Sequence, residues 1–333
     1  MAYDRLSAQA ASCLRHESQR SPLHVGALAL FEAPPFLDAH ARFRIDDARE
    51  HIAARLHRSP ALRRRVQPVL FGQGRPVWVD DGAFDLTYHV RLTALPRPGR
   101  EDQLHALMAR LQALPLDRRR PLWELWFVDG LQGDRVAVVQ KTHLALAGEL
   151  GAVGALQAVL DGVPRVPPLE MPAWTAHKAP NGAALLARTL AERATRPTEL
   201  ARTATAGLQR PRRALAAAGR RSRATFEIDH LRYEAVRADQ AAETDVRAVL
   251  RRLGPGVAIT FESIPGPRYL LGARLLEVFP WAPRAASALA VSVLSYDGRL
   301  GIGLAGDRGT NGDLRAIADE LDRAVGELSA AAG

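Results

Sequence analysis

Short apolar runs broken by polar turns run along most of the chain, and their spacing alternates between the strand period of two and the helical period of 3.6. "HVGALALFE" (24–32) predicts a strand, and His51 to Leu56 predicts a helix that ends near Pro60. "RPVWVDD" and "YHVRLTAL" predict two short strands. From Glu101 to Leu114 the apolar residues Leu104, Leu107, Met108 and Leu111 fall on one helical stripe, which Pro115 helps to stop. "LWELWFVDG" and "DRVAVVQKTH" read as strands and Ala152 to Leu160 as a helix, so "KTHLALAGE" (141–149) becomes a loop between strand and helix. Such loops commonly carry catalytic groups. Here the one group with obvious chemistry is His143, and Leu144 to Gly148 offer neither a proton acceptor nor a charge.

The second half reads differently. Residues 164–180 are proline-rich and predict a linker. Arg188 to Arg223 carries ten Arg against two acidic residues, with Leu185, Leu186 and Leu190 at near-helical spacing. Three readings are open: a basic amphipathic helix on anionic lipid, a nucleic-acid patch, or a solvated helix crossing between lobes. No interleaved aromatic residue offers a base-stacking platform, which argues against nucleic acid. "ATFEID" then predicts a strand, Asp245 to Leu253 a helix, and "GVAITFESIPGPRYLLGARLLEVFP" a strand, a Pro-Gly turn and another strand. Asp297-Gly298 between alternating apolar residues is a hairpin signal, and Asp313 to Leu328 is a closing helix. The division that follows is 1–163, 164–223 and 224–333.

Composition narrows the class. At 333 residues and 47% apolar content the chain can bury one or two substantial cores. It carries 45 basic residues against 36 acidic, net +9, and only Lys141 and Lys178 are lysines; so even an Arg bias reads as overall composition before it reads as a binding patch. Cys13 is the only cysteine, which excludes an intrachain disulfide and permits a reducing compartment. No apolar run is long enough to span a bilayer and the N-terminus lacks a signal pattern, so a cytoplasmic protein is expected, able to touch a membrane or lipid droplet from one side. No Cys/His set has metal-site spacing, so no metal is expected. "GIGLAG" (301–306) fits the dinucleotide fingerprint by letter only: it lies on the returning arm of the hairpin, where alternating glycines predict a bare face close to a neighbour.

Several stretches together resemble the bacterial wax ester synthase/diacylglycerol acyltransferase family: 6–32, 115–143, "LQAVLD" (156–161), "SIPGPRYLLGARLLEVFP" and "VSVLSYDGRLGIGLAGDR". The most specific are Pro121, Leu122, Trp123 and Glu124, and the turn Pro265, Gly266 and Pro267. The resemblance implies an α/β, two-lobed CoA-dependent-acyltransferase-like (chloramphenicol acetyltransferase-like) fold with a tunnel between the lobes. It also implies acyl-CoA as a co-substrate, no permanently bound cofactor, and an apolar alcohol or diacylglycerol as acceptor. The two short motifs are implied to line substrate or to support structure.

The family marks its site with H-H-x-x-x-D-G, whose second His removes the proton from the acceptor hydroxyl. In the ungapped register His143 falls on the first His, Leu144 on the second, Gly148 on the Asp and Glu149 on the Gly. A one-residue slip instead puts His143 on the base position. Thr244 and Asp245 fall where the family has an Asn-Asp pair, and the chain passes quickly from Leu253 to the Pro-Gly-Pro strand, which implies an incomplete C-terminal lobe. The expectation is a catalytically impaired or inactive relative that keeps lipid or acyl-chain binding, or a partner role. The alternative is an active O-acyltransferase with His143 as general base.

Overall fold

The computed structural model describes residues 3–18, 22–167, 173–194, 231–239, 243, 246–247, 250, 257–283, 289–307 and 314–331. The first half contains β1 (Tyr3–Arg5), α1 (Ala8–His16), β2 (His24–Glu32), α2 (Ile45–Ala53), β3 (Arg64–Gln67), β4 (Val77–Asp80), α3 (Leu86–His89), β5 (Val90–Ala94), α4 (Glu101–Ala113), β6 (Trp123–Leu131), β7 (Arg135–His143), α5 (Leu144–Leu150) and α6 (Gly154–Gln157). The second contains α7 (Gly182–Ala194), β8 (Leu231–Asp239), β9 (Val257–Ile264), β10 (Tyr269–Leu270), β11 (Ala273–Trp281), β12 (Leu289–Tyr296), β13 (Arg299–Asp307) and a last helix, α8 (Leu314–Ala331).

A six-stranded sheet in the order β10-β11-β2-β7-β6-β5 is the frame of the first lobe. Its central strands are buried on both faces, which is why β2 and β7 read as near-continuous apolar runs. On one face Ala27, Ala29, Phe31, Val136 and Val138 share a core with Leu14, Ile52 and Leu146 from α1, α2 and α5. On the other, Leu28, Leu30, Ala137 and Val139 meet Leu104, Met108 and Leu111 of α4, together with Ala290 and Ala305 of the second sheet. Each large apolar side chain buried in this way contributes about 1.5–3 kcal/mol relative to exposure.

The second sheet has the order β8-β13-β12-β9, with α8 on its outer face through Leu314, Ala318 and Leu321. β12 and β13 are joined through Asp297 (φ 46°) and Gly298 (φ 80°), the two left-handed positions that a tight hairpin turn requires. The glycine strand closes the two sheets on each other. A Cβ at Gly301 would lie 1.8 Å from the Val278 carbonyl oxygen, so only hydrogen fits there. β11 comes from the C-terminal third of the chain yet pairs with β2, from Trp281 opposite Gly26 to Leu275 opposite Phe31. A small sheet, β1-β4-β3, packs against α7, whose Leu185 is buried with Val69, Val77 and Val79.

Several expectations change. The stretch after His143, read as a loop, is helix α5, because five apolar or small residues bury Ala145, Leu146 and Ala147 against the core. The helix read at 152–160 is one turn, 154–157. "YHVRLTAL" begins as a helical turn capped by Asp85 and becomes strand only at Val90. The helix placed at His51 starts at Ile45, and β1, α1 and β8 were not foreseen. "ATFEID", most of 245–253 and both Thr244 and Asp245 lie outside the described residues, as does all of Arg188 to Arg223 beyond 194. Among the described residues no helix is long and apolar enough to cross a membrane.

Candidate functional site

The strand periodicity fixes which way His143 faces. Along β7, Val136 and Val138 belong to the α1/α2/α5 side, so Ala137, Val139, Lys141 and His143 project to the α4 side. His143 is the last residue of β7 and the N-cap of α5, and the Ala145 N–H donates to its Nδ1 at 2.9 Å. That bond puts the proton of the neutral ring on Nε2. Nε2 lies 3.3 Å from Glu17 Oε2, and the imidazole is fully buried.

Glu17, just past the end of α1, is shared. His24, opposite His143 in the β2–β7 register, places Nε2 3.1 Å from Glu17 Oε1, while its Nδ1 donates to the Gln112 carbonyl at 3.1 Å. Arg118 donates to Glu17 Oε2 at 2.8 Å, and the Leu23 N–H donates to Oε1 at 3.2 Å. Burial alone would raise the Glu17 carboxyl, but His143, His24 and Arg118 together hold it well below the usual carboxylate range. Burial pushes His24 down, helped by the nearby Lys141 charge and opposed by Glu17. Lys141 is buried on the same face, donates to the Leu114 carbonyl, and is pushed by burial down to about 8 against the pull of Glu124 and Glu17.

The Pro121 to Glu124 motif lies beside this cluster. The Leu122 carbonyl accepts the His143 N–H at 3.0 Å, and Glu124 stands opposite Lys141 in the strand register. Trp123 is fully buried, donates Nε1 to the Leu62 carbonyl at 2.7 Å and stacks on His89 with ring centres 4.6 Å apart. Pro121 accepts the Trp123 N–H in a tight turn. Pro265, Gly266 and Pro267 are not brought to this place. They form an exposed turn before β10, at the end of the sheet where β11 begins beside Phe31, whereas His143 lies at the opposite end of the nine-residue β2. Gly266 supplies the positive φ (63°) that this turn requires.

The remaining motif positions lie on α5. Leu144 and Gly148 are one helical turn apart and therefore share a face, with Leu144 half-buried, Gly148 exposed and Glu149 beside it. A Cβ at Gly148 would meet nothing within 4 Å. Partial burial raises the Glu149 carboxyl, against the Trp78 side chain and Arg64. A His and an Asp at positions 144 and 148 would be neighbours on this helix. Glu17 and His24 were missed from the sequence. The only available signal was their place inside the 6–32 stretch that carries the resemblance. Among the described residues no group of three or more His, Cys, Asp or Glu side chains is arranged so that it could hold a metal ion.

The family model for the wax ester synthase/diacylglycerol acyltransferase catalytic domain matches residues 6–254, and the model for its C-terminal domain matches 181–329. Among curated proteins, the probable diacylglycerol O-acyltransferase tgs3 of Mycobacterium tuberculosis is 39% identical over 193 residues, 58% of this chain and 69% of that protein. The probable diacylglycerol O-acyltransferase tgs1 of the same organism is 41% identical over 140 residues, but these cover only 42% of this chain and 28% of tgs1. In structure, the wax ester synthase/diacylglycerol acyltransferase of Marinobacter aquaeolei matches 99% of this chain and 100% of its own, with TM-score 0.65 at 19% identity. A starter condensation domain of rhizomide synthetase, solved as a mutant with C8-CoA, matches 97% of this chain and 93% of its own with TM-score 0.53 at 12% identity. The fold is thus the two-lobed CoA-acyltransferase-like one. With the catalytic-domain match running through most of its length, the chain belongs to the wax ester synthase/diacylglycerol acyltransferase family.

Proposed function

We propose that this chain binds an acyl thioester, with acyl-CoA as the donor class, and an apolar alcohol or diacylglycerol, but transfers the acyl group slowly or not at all. The observation that carries the reading is Leu144. In the ungapped register it stands on the family's base position, and an alcohol is a poor nucleophile until a base within hydrogen-bond reach takes its proton. The slipped register, with His143 as base, is weakened by the ring's surroundings: no exposed edge, Nδ1 occupied by the Ala145 N–H, and Nε2 facing Glu17. Loss of a general base costs roughly 10²- to 10⁴-fold in rate. Thr244, Asp245 and the short passage from Leu253 to Pro265 motivate the same reading, since they suggest that the C-terminal lobe lacks part of its wall.

The test uses purified protein, labelled palmitoyl-CoA and hexadecanol or dioleoylglycerol. The expected result is turnover at the background rate, rising at least about 100-fold in the Leu144→His, Gly148→Asp double variant. Turnover by the unaltered chain that disappears in His143→Ala, with folding checked by circular dichroism, would establish the active-enzyme alternative instead.

A lipid surface is the partner that a second observation favours. Phe71 is 84% exposed at a positive φ of 55°, Leu70 is 44% exposed, and Leu190 of the neighbouring helix α7 is 49% exposed. Leu70 packs against the start of α7, and the sequence beyond this helix is rich in Arg. Co-sedimentation with phosphatidylglycerol vesicles that Phe71→Ser leaves unchanged would remove this surface from consideration.

A further inference from the structure

Four side chains outside the His143 cluster form a stack at the same end of the first sheet. The Arg120 guanidinium lies 4.1 Å from the centre of the Tyr88 ring. That of Arg91 lies 4.3 Å from Tyr88 and 4.9 Å from the Trp126 ring. The stack is held by its neighbours. Arg91 Nε donates to the Tyr88 carbonyl at 2.6 Å, and Trp126 Nε1 donates to Glu124 at 2.9 Å. The next residue along, His89, is buried between Phe84 and Trp123, with Nδ1 donating to the Trp123 carbonyl at 2.7 Å.

Its position follows from strand pairing. β5 and β6 run parallel, with Val90 opposite Leu125, so Tyr88 and Arg120 precede two strands that start at one edge of the sheet. At that edge the Leu122 carbonyl accepts the His143 N–H. The stack therefore flanks the place where the acyltransferase motif lies.

Charge pairing here is uneven. Arg118 reaches Glu17 at 2.8 Å, Arg119 reaches Asp117 at 2.9 Å, and Arg91 has Glu124 at 3.6 Å. Among the described residues Arg120 alone of these four has no carboxylate within ion-pair distance and no side-chain hydrogen bond. A guanidinium lying on an aromatic face keeps its in-plane N–H groups free, and that fork matches two oxygens of a phosphoryl group. Arg91 on the same ring adds a second positive charge.

We propose that Arg120, backed by Tyr88 and Arg91, is a phosphoryl-binding ledge, and that its ligand is the nucleotide part of a CoA thioester; the identity of the ligand rests on the donor reading above. Calorimetric titration of the whole chain with CoA, 3′-dephospho-CoA and inorganic pyrophosphate tests it. Arg120→Ala should weaken CoA binding at least about ten-fold, the loss expected for a charge-assisted hydrogen bond. Tyr88→Leu should weaken it in the same direction, while Arg119→Ala, which removes an exposed and already paired Arg, should leave it unchanged. Equal CoA affinity in Arg120→Ala and the unaltered chain overturns the proposal, as does failure to bind both CoA and pyrophosphate. Binding of pyrophosphate alone, lost in Arg120→Ala, keeps the ledge and removes the CoA donor reading.

Discussion

The last residue of β7 and the first turn of α5 are adjacent, yet they have been treated in opposite ways. Behind His143 the ionisable groups are set against one another: Glu17 between two imidazoles, Arg118 at the surface side, and Lys141 opposite Glu124. One residue further, Leu144 and Gly148 present a hydrocarbon chain and a bare backbone. The first group is tied to folding, because removing one member of a buried charge set leaves the others unpaired. The second carries no such penalty. The buried, charge-paired half of the motif region and its half-exposed apolar half thus place different demands on the fold.

The largest effect is expected at Glu17. Glu17→Ala leaves His24 and His143 buried without their shared carboxylate and Arg118 without its ion-pair partner, and a loss of about 3–5 kcal/mol in denaturant-unfolding stability is expected. A loss under about 1 kcal/mol would mean that the cluster is no more demanding than a surface pair.

Next in size is the alkaline dependence of Lys141. Its folded pKa is lowered to about 8 from an ordinary 10.5, so between these values the unfolded chain binds more protons than the folded one, and stability must rise with pH. The rise is bounded at about 3 kcal/mol from the size of the shift. Lys141→Met should flatten this limb of the profile measured by urea unfolding from pH 8 to 10.5. Glu17 acts at the other end: its folded pKa is depressed, so its contribution is present above the unfolded carboxylate pKa and is lost as pH falls below it.

The smallest effects belong to α5. Gly148→Asp should change stability by no more than about 0.5 kcal/mol, because the position is exposed and open. Leu144→His should cost less than about 2 kcal/mol, since Leu144 is only half-buried. Thermal unfolding checks both, and a collapse of either variant would show that the turn is as constrained as the cluster behind it.

Most of the first lobe was legible because its strands alternate or run apolar and its long helix α4 keeps one stripe. The hairpin at Asp297-Gly298 and the close packing of Gly301 were legible for a related reason, since positive φ and absent Cβ atoms leave few alternatives. Helix α5 was not: seven residues are too few to establish a period, and small residues next to a strand end look like a loop. The direction of His143 could be read only once β7 was paired, because strand parity decides the face and the sequence did not fix where the strand stopped. Glu17 and His24 come from outside the motif: His24 meets His143 through the β2–β7 register and Glu17 through the end of α1, which no local pattern encodes.

Pairing of β11 with β2 also bears on how this chain can be cut down. A fragment ending after α6 would leave β2 from Gly26 to Phe31 as an uncovered edge, with Leu28 and Leu30 stripped of Phe279 and Trp281 beside them. Such an edge recruits strands from other molecules. Any truncation that removes β11 therefore unseals the first lobe.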